Sequence, residues 1–477
     1  MDHRDGQLPA RSRRPLSRRL PPRARHLSDP PPHSGQSAAP GPGTRPPPGT
    51  GAGARSGLPA SADVVVVGAG IVGCSIGARL AGADLTVCVL DRAAPAAGSS
   101  SSGEGNVLVS DKLPGPDLDF AIRSVQLWRE LAARDGAAFE FQPKGGVVIA
   151  HDGAQLGALH ELAAAQSRAG ARVELLGPEE LAELEPMLSR SLAGGAFYPD
   201  DCQVQPMLAV ARHVRVIRAA GGAVARGSEV VGCDLDASGG IVALRTTGGT
   251  IAVGHCVVNA AGPWSGLVAR RLGSDLAVHP RRGHILVTEP VGEITPHKVY
   301  EAAYVGNIHD DGAGWSCSSV VESTASGTML LGSSREFAGW SRTVDERIVA
   351  AIASRAVALF PVLAGVRLLR TYVGFRPATP DRLPVIGWDG SVGRLLHASG
   401  HEGAGIGLAE ATAEAVESLL LGRQPPVDLA PFRPDRFPLP PAGAAPAEPE
   451  PDELDPHLEG FAGLERFAGF EGLEALG

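Results

Sequence analysis

One stretch of the sequence decides the fold, Asp63-Val-Val-Val-Val-Gly-Ala-Gly-Ile-Val-Gly73. Its run of β-branched residues is typical of a strand buried in a parallel sheet, and it leads into the glycine pattern GxGxxG, where a helix begins. A second apolar strand, Leu85–Leu90, follows that helix and is closed by Asp91, 23 residues after Gly68. This order predicts a βαβ unit that binds a dinucleotide.

The three glycines of this pattern have separate physical roles. Gly68 permits a tight turn, Gly70 lets a pyrophosphate approach the backbone, and Gly73 lets the helix lie close to the strand. The first helical turn offers unpaired N–H groups and a partial positive charge to the phosphates, and Asp91 is placed to accept hydrogen bonds from a ribose. Because 62 of the 477 residues are glycine, the pattern alone is weak evidence, and later segments must identify the dinucleotide.

Composition limits the class of protein. A hydrophobic fraction of 43% and a charged fraction of 20% exclude a coiled coil, a collagen and a wholly disordered chain. Residues 1–60, which contain ten Arg and 13 Pro, and the acidic residues 438–477 have the composition of disordered segments. The part between them is net acidic, which disfavours nucleic acid as a partner.

Two further patterns bear on location and metal binding. The sequence has no run of 18 uncharged apolar residues, so we expect no transmembrane helix. The paired arginines Arg13-Arg14 and Arg18-Arg19 are followed by prolines rather than by the apolar segment of an export signal. The six cysteines show neither a CxxC pair nor the spacing of metal ligands, which indicates reduced thiols in a cytoplasmic protein without a metal site.

Three later segments distinguish a flavin from a nicotinamide. The loop Gly98-Ser-Ser-Ser-Ser-Gly-Glu-Gly-Asn106 follows Asp91 and offers N–H and hydroxyl groups to a second part of the cofactor. A buried strand delivers small residues to a turn within Ala252–Gly266, and Leu395–Gly407 leads into a helix that we expect to end at Gly422. A glycine-rich helix N-terminus is an anion site, which suits the flavin edge where negative charge collects on reduction. An NAD-dependent dehydrogenase would have no use for this loop.

Five motifs, occurring in the family's order, resemble the FAD-dependent oxidoreductases of the D-amino-acid oxidase superfamily, in particular its glycine oxidase, sarcosine oxidase and D-amino-acid dehydrogenase branch. The likeness implies an α/β fold in which a Rossmann-like FAD-binding domain is interleaved with an α+β antiparallel-sheet substrate domain. The FAD-binding domain would comprise 61–140, 196–275 and 371–437, and the substrate domain 141–195 and 276–370. The motifs are VVVVGAGIVGCSIGARLA, CVVNAAGPWSG, PRRGHILVTEP, GFRPATPDRLPVIG and ASGHEGAGIGLAEATAEAVESLLLG.

The resemblance also implies which residues hold FAD, bound non-covalently. The first glycine pattern would bind the pyrophosphate, the acid that closes the second strand would bind the adenosine ribose, and the last glycine-rich loop would lie against the isoalloxazine. Cys317 invites a covalent flavin bond, but its surroundings differ from those in the sarcosine oxidases that have one. The implied cofactor residues are Gly68, Gly70, Ile71, Val72, Gly73, Asp91, Arg92, Ser99, Ser100, Gly103, Gly105, Asn106, Val230, Ala261, Gly262, Gly400, His401, Glu402, Gly403, Ala404, Gly405 and Ile406.

The substrate end centres on Arg376, which lies between an aromatic residue and a proline in an extended segment. A planar guanidinium binds a carboxylate through two parallel hydrogen bonds, and the resemblance to glycine oxidases implies that Arg376 has this role. The alternative is a structural arginine paired with Asp381 or with a backbone carbonyl. His284 and Tyr300 are further catalytic candidates that would line the same pocket, with a structural role as their alternative.

The substrate domain departs from the family pattern in one region. We expect strands at 145–150, 284–288 and 328–332 in the sheet over the flavin. Relatives often have a tyrosine on the strand before 328–332, whereas this chain has Gly314-Trp-Ser-Cys-Ser-Ser319, preceded by a lengthened loop at 307–312. The identity of the substrate therefore does not transfer from the resemblance.

The implied reaction is hydride transfer from the α-carbon of a small amine or amino acid to flavin N5, followed by hydrolysis of the imine to a 2-oxo acid. The candidates are glycine, sarcosine, a D-amino acid or a proline derivative. The electron acceptor is open among O2, a quinone and a partner subunit, and so is a homo- or hetero-oligomeric state. An alternative is the flavin subunit of a heteromeric opine or hydroxyproline dehydrogenase, which only the acidic, aromatic tail supports.

Overall fold

The computed structural model describes residues 57–83, 85–303 and 314–437. Residues 1–56 and 438–477, where we predict disorder, lie outside these ranges, as does the lengthened loop at 307–312. Within the described ranges the chain forms an α/β fold with two large sheets, as predicted.

Helices and strands follow each other along most of the chain. None of the helices in the described ranges is both long and apolar enough to cross a bilayer. The helices are α1 (Ile71–Ala81), α2 (Pro116–Asp135), α3 (Gly153–Arg168), α4 (Pro178–Leu184), α5 (Pro206–Ala219), α6 (Ser265–Arg271), α7 (Glu346–Leu359) and α8 (Ala409–Leu420). The strands are β1 (Ser61–Val67), β2 (Val87–Leu90), β3 (Asn106–Val107), β4 (Gly146–Ala150), β5 (Glu174–Leu176), β6 (Gly194–Tyr198), β7 (Cys202–Gln203), β8 (Ala223–Ala225), β9 (Val230–Leu235), β10 (Ile241–Thr246), β11 (Gly249–Asn259), β12 (His279–Thr288), β13 (Lys298–Glu301), β14 (Trp315–Ser323), β15 (Met329–Glu336), β16 (Leu368–Ala378), β17 (Val385–Trp388) and β18 (Leu395–Ser399).

The first sheet is built around β1. Its order is β17-β18-β11-β1-β2-β8, and β10 and β9 extend it from β11. β1 pairs in parallel with both β2 and β11. The four valines at 64–67 are buried, as expected for a strand covered on both faces of its sheet. Since α1 connects β1 to β2, the predicted βαβ unit is confirmed.

Two glycines fix the ends of helices in this part of the fold. A Cβ at Gly73 would collide with the carbonyl oxygen of Gly68, so only glycine lets α1 start this close to β1. Gly422 follows α8 with a φ of +60°, which confirms the predicted glycine at the end of that helix.

The second sheet has the order β16-β12-β15-β14-β13-β4-β6-β5. It is mixed rather than purely antiparallel, because β13 and β4 are parallel. The three strands expected in it are present as β4, β12 and β15. Its strands come from two separate stretches, 146–198 and 279–378, so the chain interleaves the two sheets as expected. The predicted boundaries at 195/196 and 370/371 fall within β6 and β16.

The two faces of the second sheet have different neighbours. Helix α7 packs on one face, where Ile348 and Ile352 join Leu286 in a buried apolar cluster. Side chains alternate along a strand, so Gly283 and Ile285 of β12 point to the other face. That face is turned toward the loops of the first sheet, and it carries the site.

Candidate functional site

A large cavity lies between the two sheets. It contains about 1690 Å³ of space between atoms, measured out to and including its open mouth. It is bordered by residues from the end of β1 and the start of α1, from the loop 97–106, from the turn after β11 at 260–264, from the segment 398–406 before α8, and from β12 and β16. The two glycine clusters that the sequence singles out therefore meet at one cavity.

The turn between β1 and α1 forms a cradle with no room for side chains. Gly68 has a φ of +111°, and a Cβ there would collide with the carbonyl of Ala260. Gly70 borders the cavity, and a Cβ there would lie 3.2 Å from Ser100 Oγ. The same hydroxyl accepts a hydrogen bond from Ile71 N at 2.9 Å. Bare backbone at a helix N-terminus suits a phosphate group.

Asp91 and Arg92 border the cavity at the end of β2. The carboxylate of Asp91 accepts hydrogen bonds from Ala69 N at 2.7 Å and from Ala93 N at 2.8 Å, so it also braces the glycine turn. Burial raises its pKa although these two N–H groups oppose the shift. The guanidinium of Arg92 lies 4.2 Å from the ring centroid of Trp264, a cation–π contact.

Val230 borders the cavity at the start of β9. Its carbonyl accepts from Arg271 Nη1 at 2.8 Å, and the same nitrogen lies 2.6 Å from the carboxylate of Glu229. A contact between the Val230 backbone and adenine stays a prediction.

The loop from Ser99 to Asn106 connects the two halves of the site. At one end, Ser100 is bonded to α1. At the other, the Ser99 hydroxyl donates to the carbonyl of Phe375 on β16, and a Cβ at Gly103 would lie 2.9 Å from Cδ1 of Ile406. The loop therefore runs from the phosphate cradle to the residues before α8.

The loop before α8 presents His401, Glu402 and Gly403 to the cavity. Burial, aided by Lys112, lowers the pKa of His401 to about 3, so its imidazole is neutral. The hydroxyl of Thr412 donates to a backbone carbonyl, so it accepts from His401 Nε2 at 2.9 Å.

Several arginines lie close to Glu402 beside the cavity. Its carboxylate accepts from Nη1 of Arg281 at 3.0 Å. Burial alone would raise its pKa, but Arg376, Arg335 and Arg281 together hold the pKa below its usual value, so Glu402 is ionised. The residue has a φ of +49°, in the left-handed region that non-glycine residues seldom adopt.

Arg376 reaches the cavity from β16. Its Nη1 donates to the carbonyl of Ser334 on β15 at 2.8 Å. The guanidinium crosses Gly283 of β12, where any Cβ would collide with Nη1. A Cβ at Gly403 would lie 3.4 Å from Nε of Arg376. The arginine therefore lies between the second sheet and the loop before α8.

The structure partly supports the alternative that Arg376 is a structural arginine paired with Asp381 or with a backbone carbonyl. A backbone carbonyl is one of its partners, but Asp381 pairs instead with Arg436, whose Nε lies 2.7 Å from the carboxylate. Arg376 therefore borders the cavity with a backbone carbonyl as one partner, while Asp381 is bonded to another arginine.

Most of the predicted cofactor residues border the cavity, and four do not: Gly73, Gly105, Gly400 and Ala404. Gly105 and Gly400 have φ angles of +94° and +72°, and a Cβ at either would collide with a neighbouring segment, so they shape the loops. Those that border it are Gly68, Gly70, Ile71, Val72, Asp91, Arg92, Ser99, Ser100, Gly103, Asn106, Val230, Ala261, Gly262, His401, Glu402, Gly403, Gly405 and Ile406.

His284 does not border the cavity, contrary to the prediction that it lines the pocket. It is fully buried on the α7 side of β12, because its neighbours Gly283 and Ile285 occupy the cavity side. Its Nε2 accepts from the backbone N–H of Asp345 at 3.2 Å, just before α7 begins. These contacts favour the structural alternative for His284.

Tyr300 is also absent from the cavity, again contrary to the prediction. Its ring is fully buried, and its hydroxyl donates to Ser110 Oγ. Ser110 in turn donates to the carboxylate of Asp201. This network lies within the protein core and links β13 to the segments that follow β3 and β6, so the Tyr300 hydroxyl does not face the site.

Four aromatic and charged side chains that the sequence does not single out as site residues also lie at the cavity wall: Trp264, Phe375, Arg342 and Glu104. Trp264 stacks on Trp340 with 5.0 Å between ring centroids, and Trp340 meets the edge of Phe375 at 5.5 Å. Trp264 and Phe375 lie within two of the quoted motifs, which could have identified them. Arg342 and Glu104 also border the cavity, and no motif signal marks Arg342.

Cysteines and metal ligands do not contribute to the site. Across the ranges that the structure covers, no group of three His, Cys, Asp or Glu side chains is arranged to hold a metal. Cys317 lies in the apolar cluster under α7, where burial raises its pKa to about 11.

Comparison with known proteins identifies the family of this chain. The family profile DAO, described as FAD dependent oxidoreductase, matches residues 63–419. The chain belongs to this family. It is 27% identical over 382 residues to the glycine oxidase of Bacillus licheniformis, covering 76% of this chain and 93% of that protein. It is 29% identical over 345 residues to the hydrogen cyanide synthase subunit HcnC of Pseudomonas aeruginosa, covering 70% of this chain and 77% of that protein. The crystal structure of glycine oxidase from Geobacillus kaustophilus superposes with a TM-score of 0.71 at 27% identity, covering 79% of this chain and 99% of that one.

This FAD-dependent oxidoreductase has residues that fit its cofactor. The cradle at Gly68 and Gly70 would be filled by any side chain. At the cavity wall, the indole N–H of Trp264 is buried and has no hydrogen-bond partner among the residues described. An orphaned donor beside a cavity indicates a ligand acceptor. The expected superfamily, fold and cofactor are confirmed.

Proposed function

We propose that this enzyme oxidises a small amine or amino acid bearing a carboxylate, such as glycine, sarcosine, a D-amino acid or a proline derivative, at its CH–NH or CH–NH2 group. The position of Arg376 carries the proposal, since its guanidinium reaches the cavity beside Gly403. FAD, when bound, supplies the hydride acceptor at N5. The resulting imine is hydrolysed by water to a 2-oxo acid.

The chain's own residues position the substrate. The planar fork of Arg376 matches a carboxylate, and the Ser334 carbonyl holds Nη1 in place. Fixing the carboxylate fixes the α-carbon next to it, and such positioning lowers the barrier by several kcal/mol in favourable cases. Glu402 accepts a hydrogen bond from Arg281, and the positive charge of Arg376 also lowers the pKa of Glu402.

The first test replaces the guanidinium. Arg376→Ala is expected to lower kcat/KM for carboxylated amines by about 30-fold or more, because losing one partner of a buried charge pair typically costs about 2–5 kcal/mol. The rate to measure is flavin reduction without oxygen, over a panel of glycine, sarcosine, D-amino acids, proline derivatives and opines.

A matched control lies on the same strand. Arg370 is exposed, lies on β16 outside the cavity, and packs against Tyr372. Arg370→Ala should leave kcat/KM within about twofold. Equal kcat/KM for Arg376→Ala and the wild-type enzyme would show that Arg376 does not hold the carboxylate.

A second candidate function is the flavin subunit of a heteromeric opine or hydroxyproline dehydrogenase. The 29% identity to a protein named as a synthase subunit favours it. The purified chain should then fail to reduce its flavin with opines or hydroxyproline until a partner chain is added. Rapid flavin bleaching by the chain alone would reject this candidate.

The electron acceptor follows from a separate experiment. Release of hydrogen peroxide in air would identify O2 as the acceptor, and its absence with fast flavin reduction would indicate a quinone or a partner subunit. A cytoplasmic location stays a prediction.

A further inference from the structure

We propose that Glu104 binds the amino group of the substrate while Arg376 binds its carboxylate. The inference rests on the proposed function, because it takes the ligand to be an amino acid or a related amine. Glu104 belongs to the loop from Ser99 to Asn106 and borders the cavity. Its side chain is only 6% exposed, so it is a buried acid at the wall of the site.

The two carboxylate oxygens of Glu104 have different surroundings. Oε2 accepts a hydrogen bond from Asn106 Nδ2 at 2.9 Å and another from Lys298 Nζ at 3.3 Å. Oε1 is buried, and no residue in the described ranges donates a hydrogen bond to it. A buried acceptor without a donor is uncommon in proteins. The geometry therefore reserves Oε1 for a donor that the ligand brings.

Oε1 lies beside the wall of the cavity. A Cβ placed on Gly332 of β15 would collide with Oε1, and it would lie 3.0 Å from Cδ1 of Ile285. Ile285 itself borders the cavity. The missing side chain at Gly332 thus provides the space that this oxygen occupies, close to a residue of the cavity wall.

The side chains of Arg376 and Glu104 lie over different residues on the same face of the second sheet. Arg376 crosses Gly283, whereas Glu104 lies near Ile285, two residues further along β12. Two residues of a strand span about 7 Å. This separation along the backbone brings both groups to the same part of the cavity wall.

The two charges select the class of ligand. A guanidinium at one end and a carboxylate at the other complement a zwitterion, whereas a simple carboxylic acid satisfies only Arg376. The carboxylate of Glu104 accepts and does not donate, so it favours a ligand nitrogen with N–H groups over an ether or a second carboxylate.

The test compares glycine with acetate, which lacks the amino group. Binding to the oxidised holoenzyme is measured by calorimetry without oxygen. The wild-type enzyme should bind glycine more tightly than acetate. Glu104→Gln should weaken glycine binding about tenfold or more while leaving acetate within about twofold, because a charge-assisted hydrogen bond is lost only from the amine. Arg376→Ala should weaken both ligands.

A matched control removes the other acid next to Lys298. Glu322 lies 3.5 Å from Nζ of Lys298 and is fully buried, but it does not border the cavity. Glu322→Gln should therefore keep the preference for glycine over acetate. Glu104→Asp keeps the charge but withdraws it by one methylene, so it should lose part of that preference.

The proposal is overturned if Glu104→Gln leaves glycine binding unchanged, if it weakens acetate equally, or if the wild-type enzyme does not prefer glycine. If Glu104→Gln does not fold, the proposal is overturned when Glu104→Asp prefers glycine over acetate as strongly as the wild-type enzyme does. A different result would reject the proposed function itself: no amine of the panel would then reduce the flavin of the wild-type enzyme.

Discussion

Gly70 and Gly73 stand one helical turn apart in the same motif, yet they restrict the protein in different ways. A Cβ at Gly70 would approach only the hydroxyl of Ser100, at 3.2 Å, on the cavity side. A Cβ at Gly73 would collide with the carbonyl of Gly68, where backbone must move. We therefore expect the first glycine to serve the cofactor, whereas the second serves the packing of α1 on β1.

This contrast predicts two different defects. Gly70→Ala should fold with nearly the wild-type Tm of the apoprotein but bind FAD about tenfold or more weakly, because the methyl group enters the phosphate cradle. Gly73→Ala should lower the apoprotein Tm strongly or prevent folding. FAD titration and thermal unfolding of both variants measure the two effects. A Gly70→Ala protein with unchanged FAD affinity would show that the pyrophosphate does not approach this position.

At the scale of elements, Asp201 ties together three segments. It follows β6, its carboxylate accepts from Val109 N at 2.8 Å, and Ser110 donates to it and accepts from Tyr300 of β13. The sequence places a tyrosine on this strand but does not show which face of the strand meets the cavity. The misplacement of Tyr300 and His284 has this origin, since shifting a strand by one residue exchanges its faces.

Asp201 makes stability depend on pH. Burial raises its pKa to about 7, so the folded protein favours the protonated form. This contribution to stability is complete below the unfolded pKa of about 4 and is lost as the pH rises to about 7. Relative to Asp201→Asn, the wild-type protein should lose about 2 kcal/mol of unfolding free energy between about pH 5 and about pH 8. Urea titrations of both proteins at several pH values measure this difference. If the unfolding free energy changed equally with pH in the two proteins, the raised pKa of Asp201 would be contradicted.

At the scale of the whole molecule, the cavity is assembled from segments far apart in sequence. The glycine clusters and Arg376 could be predicted because each lies in a motif whose residue types are demanded by a phosphate, a flavin edge or a carboxylate. Arg342 and the partners of Glu104 could not, because their position depends on how the second sheet packs over the first. The predicted domain boundaries at 195/196 and 370/371 stay predictions; they fall within β6 and β16, which pair with other strands of the second sheet.

The central claim is that one FAD molecule spans the two glycine clusters and that Arg376 holds a carboxylate beside it. A crystal structure of the oxidised holoenzyme soaked in acetate tests this most directly. We predict the diphosphate at Gly68–Ile71, the isoalloxazine beside 401–406 and the acetate carboxylate on the guanidinium of Arg376. An FAD molecule that contacts only one glycine cluster, or acetate bound away from Arg376, would contradict it.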